Sequence, residues 1–154
     1  MIADPTAFAV VFVALFAAHQ VGDHWVQSSC QATAKGGPGK AGRIACAKHV
    51  LSLTVTKLLF LAPILLLTGA SVHPLALVIG LGADAASHYW ADRRTTLAAL
   101  AARVGRGEFH RLGTPRPGHD DNPSLGTGAY ALDQSWHIGW LAAASLIIAV
   151  GGGA

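Results

Sequence analysis

Charge is what this chain has least of. Only 12% of its 154 residues are Asp, Glu, Lys or Arg, against 52% hydrophobic residues and a mean hydropathy of +0.44. Soluble domains carry about 25% charged residues, so ordinary water-exposed packing is excluded and a membrane environment is indicated. Cysteine is almost as scarce. Cys30 and Cys46 have neither a thiolate zinc spacing nor the number for a disulfide framework, and read as two ordinary thiols near a reducing cytosolic face. Familiar catalytic signatures are missing too: there is no GxSxG, no P-loop and no HExxH, and neither cysteine has a histidine at a diagnostic spacing. The opening MIADP lacks a basic segment and no small-residue cleavage site follows the apolar run behind it, so that run is expected to be a retained helix. No internal repeat stands out beyond a loose His-xxx-Asp echo at residues 19–23 and 88–92.

What is present is apolar length. A membrane-crossing helix needs about 20 mostly apolar residues. Four stretches reach that length: Pro5 to Gln27, Ile44 to Thr68 with Pro63 as a kink, Pro74 to Asp92, and Ala129 to Val150. They predict an all-α fold, a polytopic transmembrane four-helix bundle forming a single membrane domain over residues 1–154, with long loops at 28–43 and 93–128. The short GASVHP turn makes the second and third spans an antiparallel hairpin. Both long loops are rich in Gly, Pro and polar residues and read mainly as turns. Residues 93–104 read as a helical continuation of the third span with a basic, partly amphipathic face near the headgroups.

The net charge of +3 and pI near 9.2 point to topology and not to nucleic acid, which is not expected as a partner. Lys35, Lys40, Arg43 and Lys48 flank the first loop, and Arg93, Arg94, Arg103, Arg106, Arg111 and Arg116 the second. Ten of the eleven basic residues thus fall on one side, which the positive-inside rule makes cytoplasmic. The bundle is therefore expected in the cytoplasmic membrane, multi-pass, N-out and C-out, with the lipid bilayer as its environment.

The ionisable residues inside these spans carry the functional argument. Each costs about 2.5–3.5 kcal/mol at the bilayer centre, so such groups face the bundle interior and have a purpose. His19 and Asp23, Asp84 and His88, His88 and Asp92, and Asp133 and His137 are four apart, placing each pair on one helical face. At about 1.5 Å of rise per residue, His19, His88 and His137 all lie roughly 20 Å from the outer ends of their spans. His49 stands in the first turns of the second span, so every span delivers a histidine to one layer in the cytoplasmic leaflet. Lys57 lies about two turns deeper, placed to snorkel or to pair with a carboxylate such as Asp84. Trp25, Trp90 and Trp136 share the band of the histidines and read as interfacial aromatics.

Imidazole and carboxylate suit divalent first-row metals, zinc above all, and bundles build such sites from facing helices. The metal ligand set is His19, Asp23, His49, His88, Asp92, Asp133 and His137. Gln27, Asp84 and Gln134 are placed to support these ligands by hydrogen bonds. A bound ion would bring the pKa of water to about 7, and an unligated Asp23, Asp92 or Asp133 would act as general base. The reaction class is metal-dependent hydrolysis near the headgroups, on a lipid, a lipid-linked phosphate or a peptide bond. Three alternatives stay open: a structural hydrogen-bonded network, a proton- or cation-conducting path, and haem ligation, which the four-apart carboxylates disfavour. Ser87 and Ser135 read as packing serines. His73, His110, His119, Asp120 and Asp121 read as solvated loop residues, and His24, turned about 100° from Asp23, as the least suitable ligand.

The ordered set His19-xxx-Asp23-xxx-Gln27, Lys35, His49, His88-xxx-Asp92 and Asp133-Gln134-xx-His137 resembles a small bacterial integral-membrane family, "domain of unknown function 3307". The resemblance runs from residue 15 to about 145 and implies a polytopic membrane protein of bacterial or phage origin, with no established activity. His24 stands where that family is Phe-like, and Arg93 or Arg94 where it has a basic residue, expected to be Lys. A vaguer similarity to membrane-bound metal-dependent hydrolases rests on residue types alone.

Overall fold

The computed structural model describes residues 2–114 and 126–150, and these are helical throughout apart from turns and one isolated bridge. Asp4 caps the first helix, α1 (Pro5–Val21), by accepting the Ala7 N–H at 2.6 Å, and Pro5 supplies a preset φ at its first position. A π-helical turn, Gly22–Val26, extends α1 to Gln27, whose N–H donates to the Gly22 carbonyl at 2.9 Å. A Ser28/Gln31 capping box opens the short α2 (Ser29–Ala34). The long α3 (Gly39–Thr68) runs unbroken through Pro63 and stops at Gly69, which takes φ 70°. His73 caps α4 (Pro74–Asp92) through its ring nitrogen, which accepts the Leu75 N–H at 3.2 Å. Then come α5 (Thr95–Arg103), α6 (Gly107–Arg111) and α7 (Gly128–Ala149), the last capped by Thr127.

The four long helices close into a ring, with α1 against α3 and α7 and α4 against α7 and α3. The α4/α7 approach depends on Gly80, where a Cβ would stand 2.5 Å from Ile148 Cγ1 and 2.9 Å from the Ala144 carbonyl. Gly22 likewise leaves the space that the Leu53 side chain fills. Ala3 bridges to Val150 and the Asp4 N–H donates to the Ala149 carbonyl at 3.0 Å, so residues 3 and 150 meet at one end of the bundle.

The interior divides along its length. Val11, Ala14, Leu15, Leu61, Leu81, Leu141 and Ile148 form an apolar cluster in one half. In the other half His19, His49, His88, His137 and Asp92 are all buried. The outer surface is greasy, with Val13, Leu59, Leu66, Leu67 and Val78 exposed. Polar groups inside and apolar groups outside is the arrangement that hydrocarbon surroundings demand, the reverse of a water-soluble core.

Two helices, Pro5–Val26 and Gly39–Thr68, are long and apolar enough to cross a membrane. The four apolar stretches expected from the sequence thus reduce to two on hydropathy, because α4 carries Asp84, Ser87, His88 and Asp92 and α7 carries Asp133, Gln134, Ser135 and His137. Other boundaries move for local reasons. The second long helix begins at Gly39 and not Ile44, because the preceding turn is pinned: Arg93 donates to the carbonyls of Lys35 at 2.5 Å and Gly37 at 2.6 Å. The expected continuation over 93–104 is instead broken at Arg94, which adopts φ 57°, and restarts as α5. The loops 28–43 and 93–128 contain α2, α5 and α6. Arg116, His119, Asp120 and Asp121 lie outside the described residues.

Candidate metal centre

The four-apart pairs arrive as the helical period dictates. The His19 Nε2 lies 3.6 Å from Asp23 Oδ2, His88 Nε2 lies 3.2 Å from Asp92 Oδ2, and His137 Nε2 lies 3.5 Å from Asp133 Oδ1. The ring of helices then joins these pairs. His49 Nε2, from α3, is 3.1 Å from His88 Nε2, 3.2 Å from Asp23 Oδ1 and 3.3 Å from Asp92 Oδ2. The His88 and His137 rings stack at 3.9 Å, and the His19 ring lies 5.1 Å from the His137 centroid and 5.4 Å from that of His88.

Two overlapping triads could hold an ion: Asp23, His49 and His88, and His88, Asp92 and His137. The spacing fits. Nitrogens about 2.05 Å from a tetrahedral zinc ion stand about 3.3 Å apart, in the range of the contacts around His49 and His88. Polar accounting points the same way. His19 Nε2, Asp23 Oδ1, Asp92 Oδ2 and His137 Nε2 are buried without a hydrogen-bond partner, a situation that costs about 1–3 kcal/mol per group unless something else satisfies it. A neutral imidazole donates one proton, so His49 Nε2 can serve only one of the acceptors crowding it. The Nδ1 atoms of His19, His49 and His88 are also buried without a partner, so these rings lack the carbonyl or carboxylate that usually backs a metal-bound imidazole.

Each residue singled out in the sequence has a definite place. His19 stands beside the triads, linked to them through Asp23. Asp133 is about a third exposed, with a side-chain exposure of 30%, and faces a cavity of about 460 Å³. Gln134 donates to Asp133 Oδ2 at 3.4 Å, and Gln27 reaches the same cavity with its Nε2 unpartnered. Asp84 stays outside the cluster and takes Lys57 at 2.5 Å, making a buried ion pair deeper in the bundle. His24 turns away, its Nδ1 on the Gln20 carbonyl at 2.9 Å. Trp25 is exposed, whereas Trp90 and Trp136 stack at 4.8 Å and Trp136 donates to Ser87 Oγ at 2.9 Å.

Lys35 is the residue that loop reasoning undervalues. Its Nζ lies 2.9 Å from Asp92 Oδ1, so a basic residue read as a topology signal neutralises the most buried carboxylate of the cluster. Arg93 holds the Lys35 carbonyl and thereby sets that reach. The one sequence signal for this role is the place of Lys35 in the ordered motif. Compared with family models, with curated proteins and with solved structures, the chain matches none.

Proposed function

We propose that this chain is a four-span protein of the cytoplasmic membrane whose His/Asp layer binds a divalent metal ion, zinc by preference of its donor set, and serves metal-dependent hydrolysis of a membrane-embedded substrate. One observation carries the reading: four buried imidazoles and two buried carboxylates turn their donor atoms toward each other and leave several of them unpartnered. Membrane embedding of all four long helices is supported by exposed apolar residues on the two less hydropathic ones, Leu75, Val78 and Ile79 on α4 and Leu146 on α7. The basic residues of 28–48 and 93–111 put the metal layer on the cytoplasmic side.

The chemistry divides among the side chains. Asp23, His49, His88, Asp92 and His137 hold the ion, which would supply Lewis acidity and acidify a water. Lys35 offsets the charge of Asp92 and orients it. Asp133, half inside the cavity, is placed to take a proton from the attacking water, whose oxygen bonds to the substrate centre as the ester or amide bond breaks.

The test is elemental analysis of detergent-purified protein prepared without chelator. One or two ions per chain are expected, lost in His88→Ala together with hydrolase activity. Metal-free wild-type protein, with His88→Ala affecting stability alone, would overturn the reading in favour of a structural network. The Lys57–Asp84 pair extends polarity toward the outer half and favours a proton path as second reading; that path predicts uptake of protons by proteoliposomes, abolished in Lys57→Met.

A further inference from the structure

The cavity at the mouth of the metal layer and a second, apolar groove meet at one residue. The cavity of about 460 Å³ runs from the buried Asp92 past Lys35 to the exposed Arg94 and His24, with His110 also on its wall. The groove, of about 370 Å³, lies between α5 and α7 and is floored by Leu100, Val104, Leu132, Trp136 and Trp140. Leu97 lines both. The two faces of α7 are divided accordingly, with Asp133 and Gln134 in the cavity and Leu132 and Trp136 in the groove.

From this continuity we propose that the two spaces form one site for a phosphate-bearing membrane lipid, the phosphate between Lys35, Arg94 and the metal layer and the hydrocarbon chain along the groove. The proposal rests on the metal reading in one respect. Asp23, Asp92 and Asp133 share the cavity wall and would repel an anion unless an ion neutralised them. Given the ion, Lys35 and Arg94 are the fixed positive side chains at the cavity, and Arg presents a planar fork suited to phosphate. Arg94 already commits one guanidinium nitrogen to the Ala32 carbonyl at 2.8 Å, which fixes its position at the rim. An apolar wall joined to a cationic one matches a molecule that is both greasy and anionic, and the groove would open toward the chains of the surrounding leaflet. A soluble phosphate has no use for it.

Gly139 offers the discriminating variant. It borders the groove, and a Cβ there would meet nothing within 4 Å, so Gly139→Phe fills the groove without displacing protein atoms and leaves the helix intact. Full-length protein with equimolar zinc would be incubated with dioleoyl phosphatidic acid, with dioleoylglycerol or with inorganic phosphate, and retained ligand counted by native mass spectrometry. Phosphatidic acid is expected to be held one per chain and at least about tenfold more tightly than dioleoylglycerol, the size of one lost charged hydrogen bond. Gly139→Phe and Arg94→Gln should each weaken it about tenfold. Equal retention of phosphatidic acid and dioleoylglycerol, competition by inorganic phosphate at the same concentration, or indifference to Gly139→Phe would each overturn the lipid site. Zinc measured in the same samples keeps the two readings apart: zinc retained without phosphatidic acid preference sinks the lipid site alone. Protein without zinc sinks the metal centre, and the lipid site is then judged on the retention ratios just given.

Discussion

The two halves of the bundle interior are built on opposite rules. In one, Val11, Leu15, Leu61, Leu141 and Ile148 pack with no polar group to satisfy. In the other, each of the four long helices contributes a histidine, and unpartnered donor and acceptor atoms accumulate. The contrast teaches where stability and function are separately stored. Within hydrocarbon surroundings the apolar half gains little from burial as such and relies on close packing, which is why Gly80 and Ala144 sit at its tightest contact. The polar half has costs that packing does not remove, and a bound cation is the most direct way to remove them.

The comparison can be broken most severely at Asp92. Asp92→Ala deletes a carboxylate that meets Lys35, His49 and His88, leaving a buried cation unpaired. Metal affinity is expected to fall more than about 100-fold, beyond the usual effect of groups that merely support ligands. Elemental analysis after dialysis reads this directly, and retention of the ion would contradict the proposed ligand set.

At the seam between the halves, Lys57→Met strands Asp84 and is expected to destabilise by about 3–5 kcal/mol, whereas Lys57→Met with Asp84→Leu should recover most of the loss. Thermal unfolding in detergent would show it; a double variant as unstable as the single would mean the pair does more than balance charge. In the apolar half, Leu141→Ala should cost about 2–5 kcal/mol by opening a cavity, with metal content unchanged. Loss of metal there would show that the two halves are not separable. The smallest effect is expected from Gln27→Ala, a decrease of at most about tenfold in metal affinity with ordinary stability, followed by competition with a chromogenic chelator.

Much of the polar layer is legible in the sequence, because four-residue spacing and helix rise are rigid rules: they place His19, His88 and His137 at one depth and pair each with its carboxylate. The helical class is legible from apolar run lengths. What cannot be read there comes from tertiary contacts. The break at Arg94 follows from commitments that Arg93 makes to the Lys35 and Gly37 carbonyls, far away in the chain. The early start of α3 has the same origin. Hydropathy misjudges α4 and α7 for a related reason, since the residues that lower it are those that supply the cluster. The Lys57–Asp84 pairing is one of two choices for Lys57, and only the packing of α3 on α4 selects it.

The π-turn at Gly22–Val26 has a consequence for how this protein can change length. A π-turn accommodates one residue more than an α-turn, and it occurs directly beside Asp23. Loops such as 28–38 absorb insertions and deletions at little cost, but a single deletion between Gly22 and Val26 would restore α-helical winding and rotate everything after it by about 100°. Gln27 would leave the cavity and α2 would carry Lys35 away from Asp92. Drift in chain length near the metal layer is therefore restricted at this one turn, even where any individual side chain within it, such as the exposed Trp25, is free to vary.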